Sequence, residues 1–197
     1  MIFFKIFLLS IFSYLIGSIS FSYIVTKLLT KQDIRTIGSH NSGATNVMRT
    51  IGIVPGIIVL LLDILKGFII IKFSYIFIKS DILLLIIGLF GILGHSYSIF
   101  LNFKGGKSVA ISFGIFLAVF PLAMTISLII FLASMGFFGI VSISSIISAL
   151  CFPIIMYSLE YSFIYIIIAI FIAIFIVFRH SSNIKRLIKG TEQKILR

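Results

Sequence analysis

Residues 108–178 read SVAISFGIFLAVFPLAMTISLIIFLASMGFFGIVSISSIISALCFPIIMYSLEYSFIYIIIAIFIAIFIVF, and Glu160 is the single charged side chain in that run. A soluble core cannot hide so long an apolar stretch, whereas a helix of about 20 residues crosses the hydrocarbon of a bilayer. Working outward, residues 6–26 carry no charge, and residues 82–103 carry none apart from neutral His95. Spans are therefore expected near 3–25, 51–71 and 82–101, with more between 109 and 178. Nothing reads as alternating barrel strands. Lipid-facing backbone must satisfy its own hydrogen bonds, so the spans are expected to be helices.

The composition agrees. Of 197 residues, 60% are apolar, 22 are Phe and only 11% are charged, against about a quarter charged in a soluble domain. This excludes a soluble globular enzyme and a disordered tail. The single Cys, Cys151, excludes an intrachain disulfide framework and a multi-Cys metal site. A net charge of +11 would suggest nucleic acid in a soluble chain. Here placement matters more. Lys27, Lys31, Arg35 and Arg49 lie in a first loop, and Lys104 and Lys107 in a second. Arg179, Lys185, Arg186, Lys189, Lys194 and Arg197 lie in the tail. Together they make twelve of the sixteen basic residues. The positive-inside rule puts these clusters in the cytoplasm and the N-terminus outside.

Residues 107 and 179 then lie on one side, so the run between them crosses an even number of times. Two crossings would be too long; four would average about 18 residues each, minimal but feasible. Pro121, the Gly136–Gly139 region, Ser144–Ser145, Pro153 and Glu160–Tyr161 offer breaks. The expected fold is an all-α polytopic integral membrane protein of about seven transmembrane helices, N-terminus outside and C-terminus cytoplasmic. Residues 1–197 are expected to form one membrane-embedded domain. The first apolar run exceeds the roughly 7–15 residues of a signal-peptide core, so it is expected to be a retained helix.

Three polar segments carry the candidate chemistry. The first, Gly38-Ser39-His40-Asn41-Ser42-Gly43-Ala44-Thr45-Asn46-Val47-Met48-Arg49, combines small residues that let backbone N–H groups converge on an anion with neutral donors and a guanidinium suited to phosphate. A polar turn with a solvated basic face is the plainer alternative. The second, Lys104-Gly105-Gly106-Lys107-Ser108, resembles a phosphate cradle with bare amides and two ammonium groups. It lacks the Walker A spacing, because position 101 is Leu, and a basic turn at the headgroups is its alternative. The third runs from Arg179 to Glu192. A basic amphipathic tail resting on anionic lipid would look the same, yet His180 and Asn183 stand at i, i+3 and would share a helix face. His95 alone reads as a packed or interfacial histidine. Asp63 and Lys66, within a span, read as a neutralising pair. No carboxylate pair, no trustworthy Ser-His-Asp order and no metal-ligand spacing appears. A small transporter for phosphorylated anions and a non-enzymatic lipid-binding protein remain compatible with these segments taken by themselves.

Taken in order, the segments resemble the bacterial acyl-phosphate-dependent glycerol-3-phosphate acyltransferases, the PlsY family. The resemblance covers essentially the whole chain. It is carried by Gly17-Ser18-Ile19, the Gly38 to Arg49 segment, Leu62-Asp63-x-Leu65-Lys66-Gly67, Gly94-His95 through Phe103 to Lys107, and Arg179-His180-x-x-Asn183-Ile184-x-Arg186-Leu187-x-x-Gly190-x-Glu192. Three departures are visible. His40 and Ser108 stand where the family usually has Gly, and Ser20 stands for a frequent Pro. The His40 change is expected to stiffen the first loop or add a polar contact.

The resemblance implies transfer of a fatty acyl group from acyl-phosphate to the 1-hydroxyl of sn-glycerol 3-phosphate, giving lysophosphatidate and phosphate, the first acylation of phospholipid synthesis. It implies Ser39, Arg49, Lys107 and Asn183 as phosphate and oxyanion contacts, with His180 as the alternative general base to the substrate's own phosphate. It implies Gly38, Asn41, Gly43, Thr45, Asn46, Lys104, Gly105 and Gly106 as substrate-binding or supporting positions. No cofactor, metal, nucleic acid or obligate protein partner is expected. Glycerol 3-phosphate, acyl-phosphate and membrane lipid are. The expected location is the bacterial cytoplasmic membrane, with the site facing the cytoplasm.

Overall fold

The computed structural model describes residues 2–195; Arg197, counted above in the tail cluster, lies outside the described residues. Among the described residues ten α-helices follow one another: α1 Ile2–Ser18, α2 Phe21–Thr30, α3 Ala44–Thr50, α4 Ile53–Phe77, α5 Asp81–Ser96, α6 Val109–Val119, α7 Pro121–Phe138, α8 Val141–Ser158, α9 Phe163–Arg179 and α10 Ser181–Ile188. Every long regular element among the described residues is helical, as backbone in lipid requires. The protein is a multi-pass membrane protein. Ile2–Thr30, Ile53–Phe77, Asp81–Leu101, Pro121–Phe138 and Val141–Ser158 are long and apolar enough to cross, and α9 with α10 makes a sixth stretch bent by 57°.

The run that decided the fold class holds four helices, α6 to α9. Their lengths are unequal. α6 has 11 residues, a rise of about 16 Å, which is roughly half the hydrocarbon thickness. It breaks where expected at Pro121, which opens α7, at Gly139 in a left-handed cap, and at Glu160. Ser144–Ser145 and Pro153 do not break it. All three lie inside α8. The Ser144 hydroxyl donates to Ile140 O at 3.1 Å and stays within the helix. With no water to take over backbone bonds, a lipid-embedded helix carries Ser and Pro that would end a soluble one.

Backbone contacts divide the chain into two compact units, one ending at Val119 and one starting at Phe120. In the first, α5 packs on α1, and α4 on α6. α4 buries polar side chains beside Val59, Ile70 and Ile71 and turns other apolar ones outward. Leu61, Leu65 and Ile69 are exposed while Asp63, Lys66, Gly67 and Ser74 are buried. Lipid is as apolar as Leu, so helices associate through close packing and internal polar contacts instead. Gly67 lies against the Ile111 backbone and Gly114 against that of Ile64, contacts a Cβ would block. Three hydrogen bonds fasten α1: Ser13 Oγ to Ile87 O at 2.7 Å, Tyr14 Oη to Tyr97 O at 2.8 Å, and Ser98 Oγ to Ser18 O at 2.6 Å. In the second unit, the Ser127 and Ser148 hydroxyls meet at 2.8 Å between α7 and α8, and Ser148 Oγ also donates to Ser127 O at 2.9 Å.

Candidate functional site

In the first unit, the loop between α2 and α3 rests on a small core of Ile34, Val47 and Val59, flanked by Phe21, Tyr23, Val25, Ile37, Ala44 and Ile51. Above it, Asn46 organises the chain. It is 2% exposed. Its amide nitrogen stands 3.0–3.1 Å from the carbonyls of Ile34, Ile37 and Asn41. Its oxygen accepts the Ser39 N–H at 2.8 Å. The side chain expected to meet substrate therefore has its amide committed to holding the loop. Gly38 turns at φ +60, and a Cβ there would strike Asn46 Oδ1. Ser39, Asn41, Gly43 and Thr45 are half-buried along this loop and the start of α3, and Arg49 is half-buried in the last turn of α3. His40 adopts φ +58, a left-handed position, and adds the expected polar contact through Nδ1 to Arg35 O at 3.1 Å.

Arg35 has a role that the sequence reading missed. Its Nη2 meets Asp33 Oδ2 at 2.6 Å and its Nη1 donates to Leu101 O at 2.9 Å. It is a strut from the first loop to the second. The bonds it donates hold the Asp33 carboxyl below the ordinary carboxylate range, and the same bonds push the guanidinium up.

The second loop doubles back on α5. Gly105 N–H donates to Ser96 O at 3.1 Å and Gly106 N–H to His95 O at 3.0 Å, satisfying carbonyls that the end of α5 leaves open. A Cβ at either glycine would strike the α5 terminus: His95 O for Gly105, the His95 ring for Gly106. Only Gly-Gly lets the chain lie this close between Lys104, which is exposed, and Lys107, which is half-buried. Ser108 has φ +63, which explains why Gly is usual there. Its hydroxyl contacts Ser96 Oγ at 2.6 Å and Ile92 O at 3.0 Å, offsetting the strain. The third departure, Ser20, is the N-cap of α2 and accepts the Tyr23 N–H at 3.3 Å.

Behind this loop is a buried ionic cluster. Lys66 Nζ lies 2.8 Å from Asp63 Oδ1, 3.0 Å from His95 Nδ1 and 2.7 Å from Ile19 O. The neutralising pair is present, but His95 joins it from α5 and is only 8% exposed. Two opposite charges and a histidine inside apolar spans were the available signal.

In the second unit, His180 closes α9 and opens α10 at the bend, rather than lying inside one continuous helix, and is 3% exposed. Its Nδ1 is 2.8 Å from Ile176 O. A carbonyl only accepts, so Nδ1 is the donor in that contact. Asn183, also 3% exposed, donates Nδ2–H to Glu192 Oε1 at 2.8 Å. Glu192 also receives Arg186 Nε at 2.6 Å and the Ser142 hydroxyl at 3.3 Å. Ile195 N–H donates to Gly139 O at 2.9 Å, strapping the tail onto the α7–α8 turn.

Among the described residues, no group of three His, Cys, Asp or Glu side chains could hold a metal ion. The arrangement instead offers ammonium, guanidinium and amide donors in loops, with Asp33 and Glu192 each consumed by an arginine.

Comparison with known proteins identifies the set. Residues 7–190 match the family model described as glycerol-3-phosphate acyltransferase. A glycerol-3-phosphate acyltransferase of Staphylococcus haemolyticus is 45% identical, covering 94% of this chain and 95% of its own length. Glycerol-3-phosphate acyltransferase 2 of Bacillus anthracis is 43% identical, with 94% and 97% covered. Among solved structures, the glycerol 3-phosphate form of PlsY, described as an integral membrane glycerol 3-phosphate acyltransferase, superposes with a TM-score of 0.91 at 37% identity, over 96% of this chain and 95% of that one. Its lysophosphatidic acid form gives 0.87, with 96% and 94% covered. The chain belongs to the glycerol-3-phosphate acyltransferase family.

Proposed function

We propose that this member of the family moves a fatty acyl group from acyl-phosphate to the 1-hydroxyl of sn-glycerol 3-phosphate, releasing 1-acyl-glycerol 3-phosphate and inorganic phosphate. Acylation of glycerol 3-phosphate rests on family membership along nearly the whole chain. The observation that most favours a pre-activated donor is the donor-rich, base-poor chemistry of the loops: Asp33 and Glu192 are both occupied in ion pairs. An acyl-phosphate is a mixed anhydride with a good leaving group. It asks for orientation and charge stabilisation more than for a strong protein nucleophile.

In this reading the 1-hydroxyl oxygen attacks the acyl carbon, the carbon–oxygen bond to phosphate breaks, and the hydroxyl proton passes to a phosphate oxygen. Ser39, Arg49, Lys107 and Asn183 contact phosphate and the developing oxyanion. Lys104, Gly105 and Gly106 cradle glycerol 3-phosphate, and Gly38, Asn41, Gly43, Thr45 and Asn46 shape the first loop around substrate. His180 is the rival proton acceptor. The whole chain is taken as one acyltransferase domain of the bacterial cytoplasmic membrane. It crosses seven times, with the loop clusters and C-terminus on the cytoplasmic side, and needs no obligate partner.

Purified protein tests the reading with glycerol 3-phosphate and each donor in turn. Lysophosphatidate from acyl-phosphate is expected; product from acyl-CoA alone would move the protein to another donor class. The proton's destination is tested by His180→Gln across pH. Loss of the chemical step with substrate binding intact would transfer the base role to His180.

A further inference from the structure

Lys66 is an ammonium with three protons and three partners within 3.0 Å: the Asp63 carboxylate, Ile19 O and His95 Nδ1. An ammonium only donates, so His95 Nδ1 must accept. A neutral imidazole that accepts at Nδ1 carries its proton at Nε2. Protonating both nitrogens would set an N–H against the ammonium, so the cluster selects one tautomer. The Nε2 edge faces the second loop. A Cβ built on Gly106 would strike Nε2 and would lie 3.1 Å from Ser42 O, which belongs to the first loop. The Ser42 hydroxyl is itself buried without a hydrogen-bond partner. The His95 ring therefore stands where the two loops meet, between the buried ion pair and the Gly-Gly that joins Lys104 to Lys107.

We propose that Asp63, Lys66 and His95 are positioning residues, which lock His95 as the Nε2–H tautomer and set that edge against Gly106 so that the two loops keep their spacing for the phosphate of the acceptor. Asp63 anchors the ammonium, the ammonium orients the imidazole, and the imidazole supports the loop backbone. None of the three touches the reacting atoms. The inference rests on the reading that this loop cradles glycerol 3-phosphate.

A pair of substitutions separates this role from plain packing. A glutamine amide reaches the Nε2 position of a histidine, while an asparagine amide reaches only the Nδ1 position. In the purified full-length protein, His95→Gln is expected to keep its KM for glycerol 3-phosphate within about threefold, while His95→Asn raises it roughly tenfold or more, the cost of removing a buried donor. The KM for the acyl donor should not move. The double variant Asp63→Leu with Lys66→Met provides a second reading, because replacing a buried ion pair by apolar side chains of similar size often leaves stability intact. It should unfold near the wild-type temperature yet share the raised KM of His95→Asn. Equal impairment of the Gln and Asn variants, or wild-type kinetics in the folded double variant, would overturn the proposal. Absence of lysophosphatidate from the wild-type protein would refute the acyltransferase reading instead. The same variants are then ranked by their Kd for inorganic phosphate, with the same order expected.

Discussion

Asn183 Nδ2 donates to Glu192 Oε1 across 2.8 Å, and the carboxylate that receives it is 1% exposed and paired with Arg186. The amide expected to meet phosphate is thus oriented by a carboxylate nine residues further along the chain. Glu192→Ala should leave Arg186 and Asn183 without their shared acceptor. It is expected to destabilise by about 1–3 kcal/mol and to lower kcat/KM. Glu192→Gln keeps an acceptor oxygen and should retain more of both. Thermal unfolding in detergent alongside steady-state kinetics measures the order; equal behaviour of the two variants would contradict this role.

Asn46 provides a second test, because its amide faces three carbonyls. Asn46→Asp exchanges that donor for a buried carboxylate against carbonyl oxygens. A loss of about 2–5 kcal/mol is expected, from an unmade set of bonds and an unpaired buried charge. Asn46→Ser should be milder. Denaturation midpoints of the two variants decide it, and a stable Asn46→Asp protein would refute the account of the first loop.

Ser108 balances strain against bonding. Its left-handed backbone costs roughly 1–2 kcal/mol, and its two hydroxyl contacts return about 0.5–1.5 kcal/mol each. Ser108→Ala keeps the strain and loses the contacts; Ser108→Gly loses both. The alanine variant should therefore unfold at the lower temperature, and the reverse order would show that the left-handed backbone at this position stores little strain.

The Asp33–Arg35 pair predicts a pH dependence of known sign. The Asp33 carboxyl sits below its ordinary range chiefly because Arg35 donates to it. The unfolded chain then takes up that proton at higher pH than the folded one. The pair's contribution is complete above the ordinary value of about 4 and is lost as pH falls through the lower folded value. Between pH 5 and 3 the wild-type unfolding temperature should fall more steeply than that of Asp33→Asn. Parallel curves would mean that the pair does not stabilise the loop.

Much of this was legible in the chain. Uncharged runs located the long helices, and the donor-rich segments located the loops, because bilayer energetics penalises charge strongly enough to be read from composition. What was hidden depended on three-dimensional contact. The short helix α6 is preceded by a Gly-Gly segment that lies along α5, and no periodicity announces that. Ser144 and Pro153 looked like breaks because they break helices in water. Asp63 and Lys66 looked complete as an i, i+3 pair, and His95 joins them only through α4–α5 packing. Asn46 looked like a ligand contact and Arg35 like one more charge in a basic cluster, but tertiary hydrogen bonds give the one to the first loop and the other to a strut between loops.

The central claim is the identity of the acyl donor. The most direct measurement supplies purified full-length protein in lipid nanodiscs with sn-glycerol 3-phosphate and palmitoyl phosphate, and counts lysophosphatidate and inorganic phosphate together. The account predicts that the two appear in equal amounts, and that palmitoyl-CoA and palmitoyl-acyl carrier protein give no product. Lysophosphatidate formed from the thioesters but not from palmitoyl phosphate would contradict it.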